Sequence, residues 1–323
     1  MALGEFALIK KFFTDIGPVA GVALGVGDDC ALLDIPAGHQ LATSVDTLVA
    51  GVHFPADGAM HAGGPALIAQ KALRSNLSDL AAAGAQPLAF TLALTLPQAD
   101  EHWLAEFARG LRECADEFAI PLIGGDTTRG AQRVITLQVF GAVPYARALL
   151  RGGAKPGDVI YSSGTLGDAR AALDVLTLPA QHLNVDQQFW LQRYYRPSPR
   201  LALGIALRGI ASAAIDISDG LAADLGHIVD GSGVGAIVDA GQLPLSPALR
   251  THANALNFAL HGGDDYELCF TAPRGRQTTI TEISARLQLP LTAIGEIVAE
   301  KSLLLRAGDG LLTPLVRAGY QHF

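Results

Sequence analysis

The segment AIDISDGLAADLGHIV, residues 214 to 229, sets Asp216 and Asp219 three positions apart in an apolar, alanine-rich run, with Ser218 between them. A carboxylate in such surroundings needs hydrogen bonds, a cation or a proton to be tolerable. Similar groups recur along the chain at Gly27-Asp28-Asp29, Ser44-Val45-Asp46, Asn76-Leu77-Ser78-Asp79, Gly124-Gly125-Asp126 and Gly262-Gly263-Asp264-Asp265. Each alone has an ordinary explanation, because Gly and Asp favour turns and Asp before a helix caps it. Their recurrence beside apolar runs is less ordinary in a chain only 17% charged. If several converged, two carboxylates at ~4 Å would repel by about 4 kcal/mol at an effective dielectric constant of ~20, and such a cluster favours a bound cation. Oxygen-only ligands point to a hard ion, and Mg²⁺ commonly joins a few carboxylates to substrate phosphates. The glycines add main-chain N–H groups that phosphate oxygens can approach without meeting a Cβ. Together these features suggest phosphoryl chemistry on a nucleotide.

The common nucleotide signatures are missing. The sequence has neither GxxxxGK[ST] nor GxGxxG after a strand, and no HRD with DFG pair. GxSxG and HExxH are absent too, which argues against serine-esterase and zinc-protease chemistry. An unconventional ATP site remains.

The elements that must position these groups follow from composition and pattern. With 323 residues, half of them hydrophobic, the chain can bury a large core and is long enough for two domains. The formal net charge is -8 and no Lys/Arg-rich run occurs, which speaks against nucleic acid held by phosphate contacts. Cys30, Cys114 and Cys269 are far apart and form no CxxC pair, a pattern that fits a reducing cytoplasm. The start, MALGEFALIKKFF, lacks the basic opening and long apolar centre of a signal peptide and reads as an amphipathic helix. Residues 80 to 99 carry no charge, yet Gly84, Pro87 and Pro97 break them into a helix end and a short TLALTL strand, so a buried strand is expected and no membrane span.

Helical and β-type runs alternate, as in a mixed α/β architecture. Strands are expected at 30 to 35, 40 to 48, TLALTL, IPLIG and RVITLQVFGAVP, with helices over about 65 to 83 and 100 to 118. RALLRGGAKPGD, residues 147 to 158, punctuates the chain with basic, Gly and Pro residues, which divides it into domains 1–146 and 147–323. The second half repeats the alternation with VIYSSG, a helix after Gly167, a helix from about 200, VGAIVDA, ELCFT and TAIGEIV.

The ordered series GEFALI, GVGDDCALL, SVDTLVAGVHF, NLSDLAAAGA, IGGDTTRG, GAKPGD, AIDISDGLAADLGHI, GGDDYELCFT and GYQHF resembles the thiamine-monophosphate kinases, a family of the aminoimidazole-ribonucleotide-synthetase-like superfamily. The resemblance covers nearly the whole chain. It implies a two-domain α/β fold with mixed sheets, in which the N-terminal domain forms the core of a homodimer and the C-terminal α/β domain closes over the site. It also implies transfer of the γ-phosphoryl group of ATP to thiamine monophosphate with several Mg²⁺ ions, giving thiamine diphosphate and ADP. Matched motif by motif, Asp29, Ser44, Asp46, Asp79, Asp126, Asp216 and Asp219 fall on the family's metal-binding positions, with Val45 offering a backbone carbonyl. Gly125, Asp126, Arg151 and Ser218 fall on its nucleotide-binding positions, and His53 and Tyr320 on positions that touch thiamine monophosphate. Asp46, Asp126 and Asp216 are the expected catalytic carboxylates.

Asp264 departs from the family's Gly-Gly-Glu-Asp pattern, where the Glu faces the substrate; the shorter carboxylate can still reach through water or a small shift of the loop. The HAGGP stretch, residues 61 to 65, is longer than usual and is expected to remodel a loop on the substrate side. Taken without the family, His53 also reads as an ordinary loop histidine, Arg151 as a solvated linker residue whose guanidinium would suit phosphate, and Tyr320 as either a packing residue or a ring stacked on a flat heteroaromatic substrate. Other members of the superfamily, a non-catalytic cation- or nucleotide-binding protein, and a metal-dependent phosphohydrolase are the competing readings.

Overall fold

The computed structural model describes residues 5 to 56 and 63 to 320. His61 and Ala62 of the HAGGP stretch and the last three residues of the GYQHF motif therefore lie outside the described residues. The chain forms two compact units, one made of Met1–Leu80, Gln86–Tyr145 and Leu176–Leu183, the other of Ala81–Ala85, Ala146–Val175 and Asn184–Phe323.

In the first unit α1 (Glu5–Phe12) is followed by β1 (Val22–Leu24), β2 (Leu32–Leu33), β3 (His39–Val49), α2 (Pro65–Ala82), β4 (Gln86–Leu96), α3 (Glu101–Glu117), β5 (Leu122–Arg129) and β6 (Val134–Pro144). The main sheet has the order β3-β6-β4-β5, antiparallel except for the β4/β5 pair. Strict alternation along β6 sends Ile135, Leu137 and Val139 into the core, as a half-buried strand requires. Helix α2 lies on that face: its Asn76 Nδ2 donates to the Leu137 carbonyl at 2.7 Å, and Leu73, Leu77 and Leu80 are buried. Helix α3 starts where Asp100 accepts the N–H groups of His102 and Trp103 at 3.0 and 3.1 Å, an N-cap that satisfies two otherwise orphaned donors.

Three sequence expectations shift here for physical reasons. The strand expected over 30 to 35 shrinks to Leu32–Leu33, because the chain is still turning through Asp28, Asp29 and Cys30. Strand β4 begins five residues before TLALTL and includes Pro87, tolerated because a register break between Pro87 and Ala89 takes that position out of the regular ladder. Strand β5 runs straight through Gly124-Gly125-Asp126, which the sequence suggested as a turn. No described helix is long and apolar enough to cross a membrane.

The second unit contains β7 (Val159–Ser163), α4 (Asp168–Leu173), α5 (Val185–Tyr195), α6 (Leu201–Leu207), β8 (Ala213–Asp216), α7 (Leu221–Ser232), β9 (Gly235–Asp239), α8 (Ala255–His261), β10 (Leu268–Ala272), α9 (Gln277–Leu287), β11 (Leu291–Val298), β12 (Leu303–Arg306) and β13 (Leu312–Pro314). Its seven-stranded sheet has the order β13-β12-β9-β11-β7-β10-β8, antiparallel apart from β12 beside β9. Leu221, Leu225 and Ile228 of α7 pack with Ile160, Ile215, Val238 and Cys269 of the sheet. That burial fixes α7 against the strand that ends in Asp216.

Candidate active site

In the first unit, Gly125 and Asp126 sit on β5 opposite Leu92 and Ala93 of β4. Gly125 has φ +155°, and a Cβ built there would fall 1.8 Å from the Leu92 carbonyl oxygen, so only glycine lets the two strands approach this closely. A register break in the pairing, where Phe90 faces Leu122 and Thr91 faces Gly124, bends β5 just before the pair. Asp126 is exposed by this geometry and lines a cavity of about 690 Å³ together with Gly125, Asp28 and Asp29. Asp28 turns back on its own chain, its Oδ1 accepting the Asp29 N–H at 2.8 Å.

Strand β3 carries the next group. Ser44 and Asp46 point to the half-buried side, and the Ser44 hydroxyl donates to Asp79 Oδ2 on α2 at 2.6 Å. Val45 points the other way and is 58% exposed. His53 lies in the turn after β3, where its Nδ1 accepts the Val49 N–H at 3.0 Å; the other ring nitrogen then carries the proton of the neutral ring. Strands β3 and β5 are opposite edges of the sheet. With two strands between them, Asp46 and Asp126 stand about 14 Å apart at the usual spacing of ~4.8 Å per strand.

In the second unit, Asp216 ends β8 and is buried. Ser218 and Asp219 follow in the turn into α7. The Ser218 carbonyl accepts the Asp264 N–H at 2.8 Å, and the Asp219 carbonyl accepts the Tyr320 N–H at 3.2 Å. Asp216, Ser218, Asp219, Asp264 and Tyr320, drawn from three distant stretches of the sequence, thus converge on one turn. Arg151 does not join them: its main chain rests against Gly231, in the last turn of α7, while Ser218 precedes the first. A twelve-residue helix places those ends about 18 Å apart at ~1.5 Å per residue.

Several residues that the motifs did not single out build this turn. Asp224, buried in α7, accepts the N–H groups of Asp219 and Gly220 at 3.0 and 3.1 Å, which fixes the backbone of the turn between Asp216 and the helix. Burial first, and the charge of Asp219 second, push the Asp224 carboxyl up to about 7. The Asp264 loop is held from behind by a buried ionic cluster. Glu267 accepts Arg193 at 2.9 Å, Arg200 through two nitrogens at 2.6 and 2.5 Å, and the Ser163 hydroxyl at 2.6 Å. Asp265 accepts the Gly167 N–H at 2.7 Å, and Asp168 accepts Thr165 and Ser246 at 2.7 and 2.5 Å. Burial raises the carboxyls of Asp265 and Asp168 above their ordinary values. Asp264 and Tyr266 adopt left-handed φ of +65° and +50°, a conformation that costs a non-glycine residue about 1 kcal/mol or more. The cluster and the Tyr266 N–H bond to the Ile217 carbonyl at 2.8 Å hold it in place.

Chemically, the site presents carboxylates and hydroxyls without thiolates or clustered imidazoles, a donor set suited to hard cations. Among the described residues no three His, Cys, Asp or Glu side chains cluster closely enough to enclose a metal ion by themselves.

Residues 27–143 match the N-terminal domain, and residues 155–307 the C-terminal domain, of the AIR synthase related proteins. Over its full length the chain is 49% identical to the thiamine-monophosphate kinase of Salmonella typhimurium and 48% identical to that of Escherichia coli K12, covering 99% of each. The crystal structure of thiamine-monophosphate kinase from Stenotrophomonas maltophilia superposes with a TM-score of 0.84 at 44% identity, over 97% of this chain and 99% of that one. AaThiL complexed with AMPPCP and TMP superposes with a TM-score of 0.79 at 29% identity, over 100% of this chain and 99% of that one. With its carboxylate-lined cavity, its Asp216 turn and this likeness from end to end, the chain belongs to the thiamine-monophosphate kinase family of the AIR synthase related proteins.

Proposed function

We propose that the protein transfers the γ-phosphoryl group of ATP to the phosphate of thiamine monophosphate. The observation that carries this reading is the 49% identity over the whole chain to a thiamine-monophosphate kinase, with the Asp, Gly-Asp and Gly-Gly-Asp-Asp motifs all present in order. A terminal oxygen of thiamine monophosphate attacks the γ-phosphorus in line, the bond to the β–γ bridging oxygen breaks, and ADP departs. The acceptor is already ionised near neutral pH, so no protein base has to remove a proton. The protein's work is positioning two anions and offsetting their charge.

Asp29, Asp46, Asp79, Asp126, Asp216 and Asp219 would hold Mg²⁺, with Ser44 and the Val45 carbonyl as neutral ligands. When bound, Mg²⁺ supplies charge neutralisation for the phosphates and for the transition state. Gly125 and Asp126 would receive the nucleotide in the β5 cavity, and Ser218 and Arg151 are the second unit's residues at nucleotide-binding positions. His53, Asp264 and Tyr320 would face thiamine monophosphate, the neutral His53 ring offering an N–H donor.

The separation of Asp46 from Asp126 supports a homodimer in which the two carboxylates of one site come from different subunits. The surface for it is present: Thr43, Val45 and Thr47 of β3 and Thr136 and Gln138 of β6 share the face opposite α2, and on β3 this face is exposed. Two tests apply. With γ-labelled ATP, the label should appear in thiamine diphosphate; label found only in inorganic phosphate would indicate a phosphohydrolase instead. Mixing Asp46→Ala with Asp126→Ala subunits should restore roughly a quarter of the activity, because half the dimers then carry one intact site. No recovery would place both residues in the same subunit's site.

A further inference from the structure

The C-terminal segment after β13 is laced along one face of α7, and each contact falls one helical turn from the last. Leu315 anchors it, buried in the core with its N–H donating to the Leu303 carbonyl at 2.9 Å. Arg317 Nη1 then donates to Asp230 at 2.6 Å, and the stem of Arg317 lies over Gly226, where a Cβ would fall 2.9 Å from its Cδ. Gly319 lies over Ala223: a Cβ on Gly319 would come within 2.7 Å of the Ala223 Cβ and 2.8 Å of the Asp219 carbonyl oxygen. The Tyr320 N–H closes the series on that same carbonyl. Residues 230, 226, 223 and 219 share a side of the helix and its leading turn, so a chain running antiparallel to α7 meets them in order.

A second tie comes from α8. The His261 Nδ1 and the Ala318 carbonyl are 2.9 Å apart, so the ring N–H donates to that oxygen. His261 directly precedes Gly262-Gly263-Asp264. The segment is therefore fastened both to the helix behind Asp219 and to the loop that carries Asp264. Arg317 also sits over the last turns of α7, where a cation is favoured by the helix dipole, and its guanidinium holds the Asp230 carboxyl below its ordinary range.

We propose that residues 315 to 320 are a strap that sets the position of Tyr320 for the acceptor, with Gly319, His261 and Arg317 as positioning residues that fix its register on α7. This rests on the proposed function, in which Tyr320 faces thiamine monophosphate. Gly319 carries the most weight, because the atoms a side chain would strike are a Cβ and a main-chain oxygen, neither of which can swing aside. The Arg317–Asp230 pair is half-exposed and contributes little on its own, so it selects register more than it adds strength.

The test compares wild type, Gly319→Ala, Arg317→Ala and Arg317→Lys by steady-state kinetics with each substrate varied, together with hydrogen exchange at the Tyr320 amide. Gly319→Ala should lose Tyr320 amide protection and raise KM for thiamine monophosphate about tenfold, while kcat and KM for ATP stay within about twofold. Arg317→Ala should show a smaller change of the same kind, and Arg317→Lys should restore it. Lost amide protection with an unchanged KM for thiamine monophosphate would overturn the proposal. So would equal losses toward both substrates, the mark of a general structural defect. Failure of the kinase reading is separately visible, since the wild-type protein would then form no thiamine diphosphate, and the exchange data would still decide whether Gly319 sets the register of the strap.

Discussion

Replacing Glu267 by Gln removes one negative charge from the middle of the second unit and leaves its shape almost unchanged. The acid is 0% exposed and meets two arginines whose side chains are 11% and 19% exposed, so little water reaches any of the three. Gln offers one acceptor oxygen where Arg193 and Arg200 now make three short bonds, and its NH₂ group faces other donors. Breaking a buried ion pair by removing one partner costs about 3–5 kcal/mol, because the remaining charge stays buried and unmatched. For a unit of this size ~2–4 °C of melting temperature accompanies each kcal/mol, so the loss should be about 10 °C in a thermal unfolding scan. The Asp264 loop, strained at Asp264 and Tyr266 and backed by this cluster, should loosen as well and weaken acceptor binding before nucleotide binding. A melting temperature within about 2 °C of wild type would refute the reasoning, since the pair would then be shown to be solvated or replaceable.

Asp216→Asn should lower turnover by about 100-fold or more while the melting temperature stays close to wild type, because the amide keeps the shape and loses the charge that, in the proposed function, would offset Mg²⁺; full activity would remove Asp216 from the site. Gly125→Ala should cost about 2 kcal/mol or more, as a Cβ there collides with the Leu92 carbonyl at a φ that disfavours side chains, and denaturant unfolding would measure it. Asp265→Asn should change how stability responds to pH. The folded carboxyl is raised by burial, so the advantage of its neutral form is full below its ordinary value near 4 and is lost as pH rises through the raised value. Wild type should therefore lose stability relative to the variant as pH climbs from about 4, and parallel pH curves for the two would contradict the assignment.

The elements that carry the site were legible because their patterns are strong. Helix α2 begins at Pro65 and ends one residue short of the expected limit, and β6 alternates from Val134 to Gly141. Gly124-Gly125-Asp126 misled as a turn because the glycine preference for positive φ is the same in a turn and in a bulged strand; only the partner strand, with Leu92 pressing on Gly125, distinguishes them. Helix α5 was hidden behind weak amphipathicity, although Asn184 and Gln187 form a reciprocal cap at its start. Strands β12 and β13 are only four and three residues long, too short to show an alternation, and β13 lies at the sheet edge.

For the site, the sequence named the presenting residues and missed their supports. Asp224, Arg193, Arg200 and Glu267 touch one another or the Asp216 turn through contacts spanning up to 74 positions, and such pairings leave no mark in local periodicity. The convergence of Asp264 and Tyr320 on the turn after Asp216 likewise became visible only when β8, α7 and β10 were set side by side. The distance between Asp46 and Asp126 is a property of sheet order, which a linear pattern does not contain.

The central claim is acceptor-specific phosphoryl transfer, and the most direct measurement is chromatographic quantification of thiamine diphosphate after incubation with ATP, Mg²⁺ and thiamine monophosphate, beside parallel incubations with thiamine and with no acceptor. Thiamine diphosphate and ADP should form in equal amounts from the monophosphate alone. ATP bound or hydrolysed without thiamine diphosphate would contradict it.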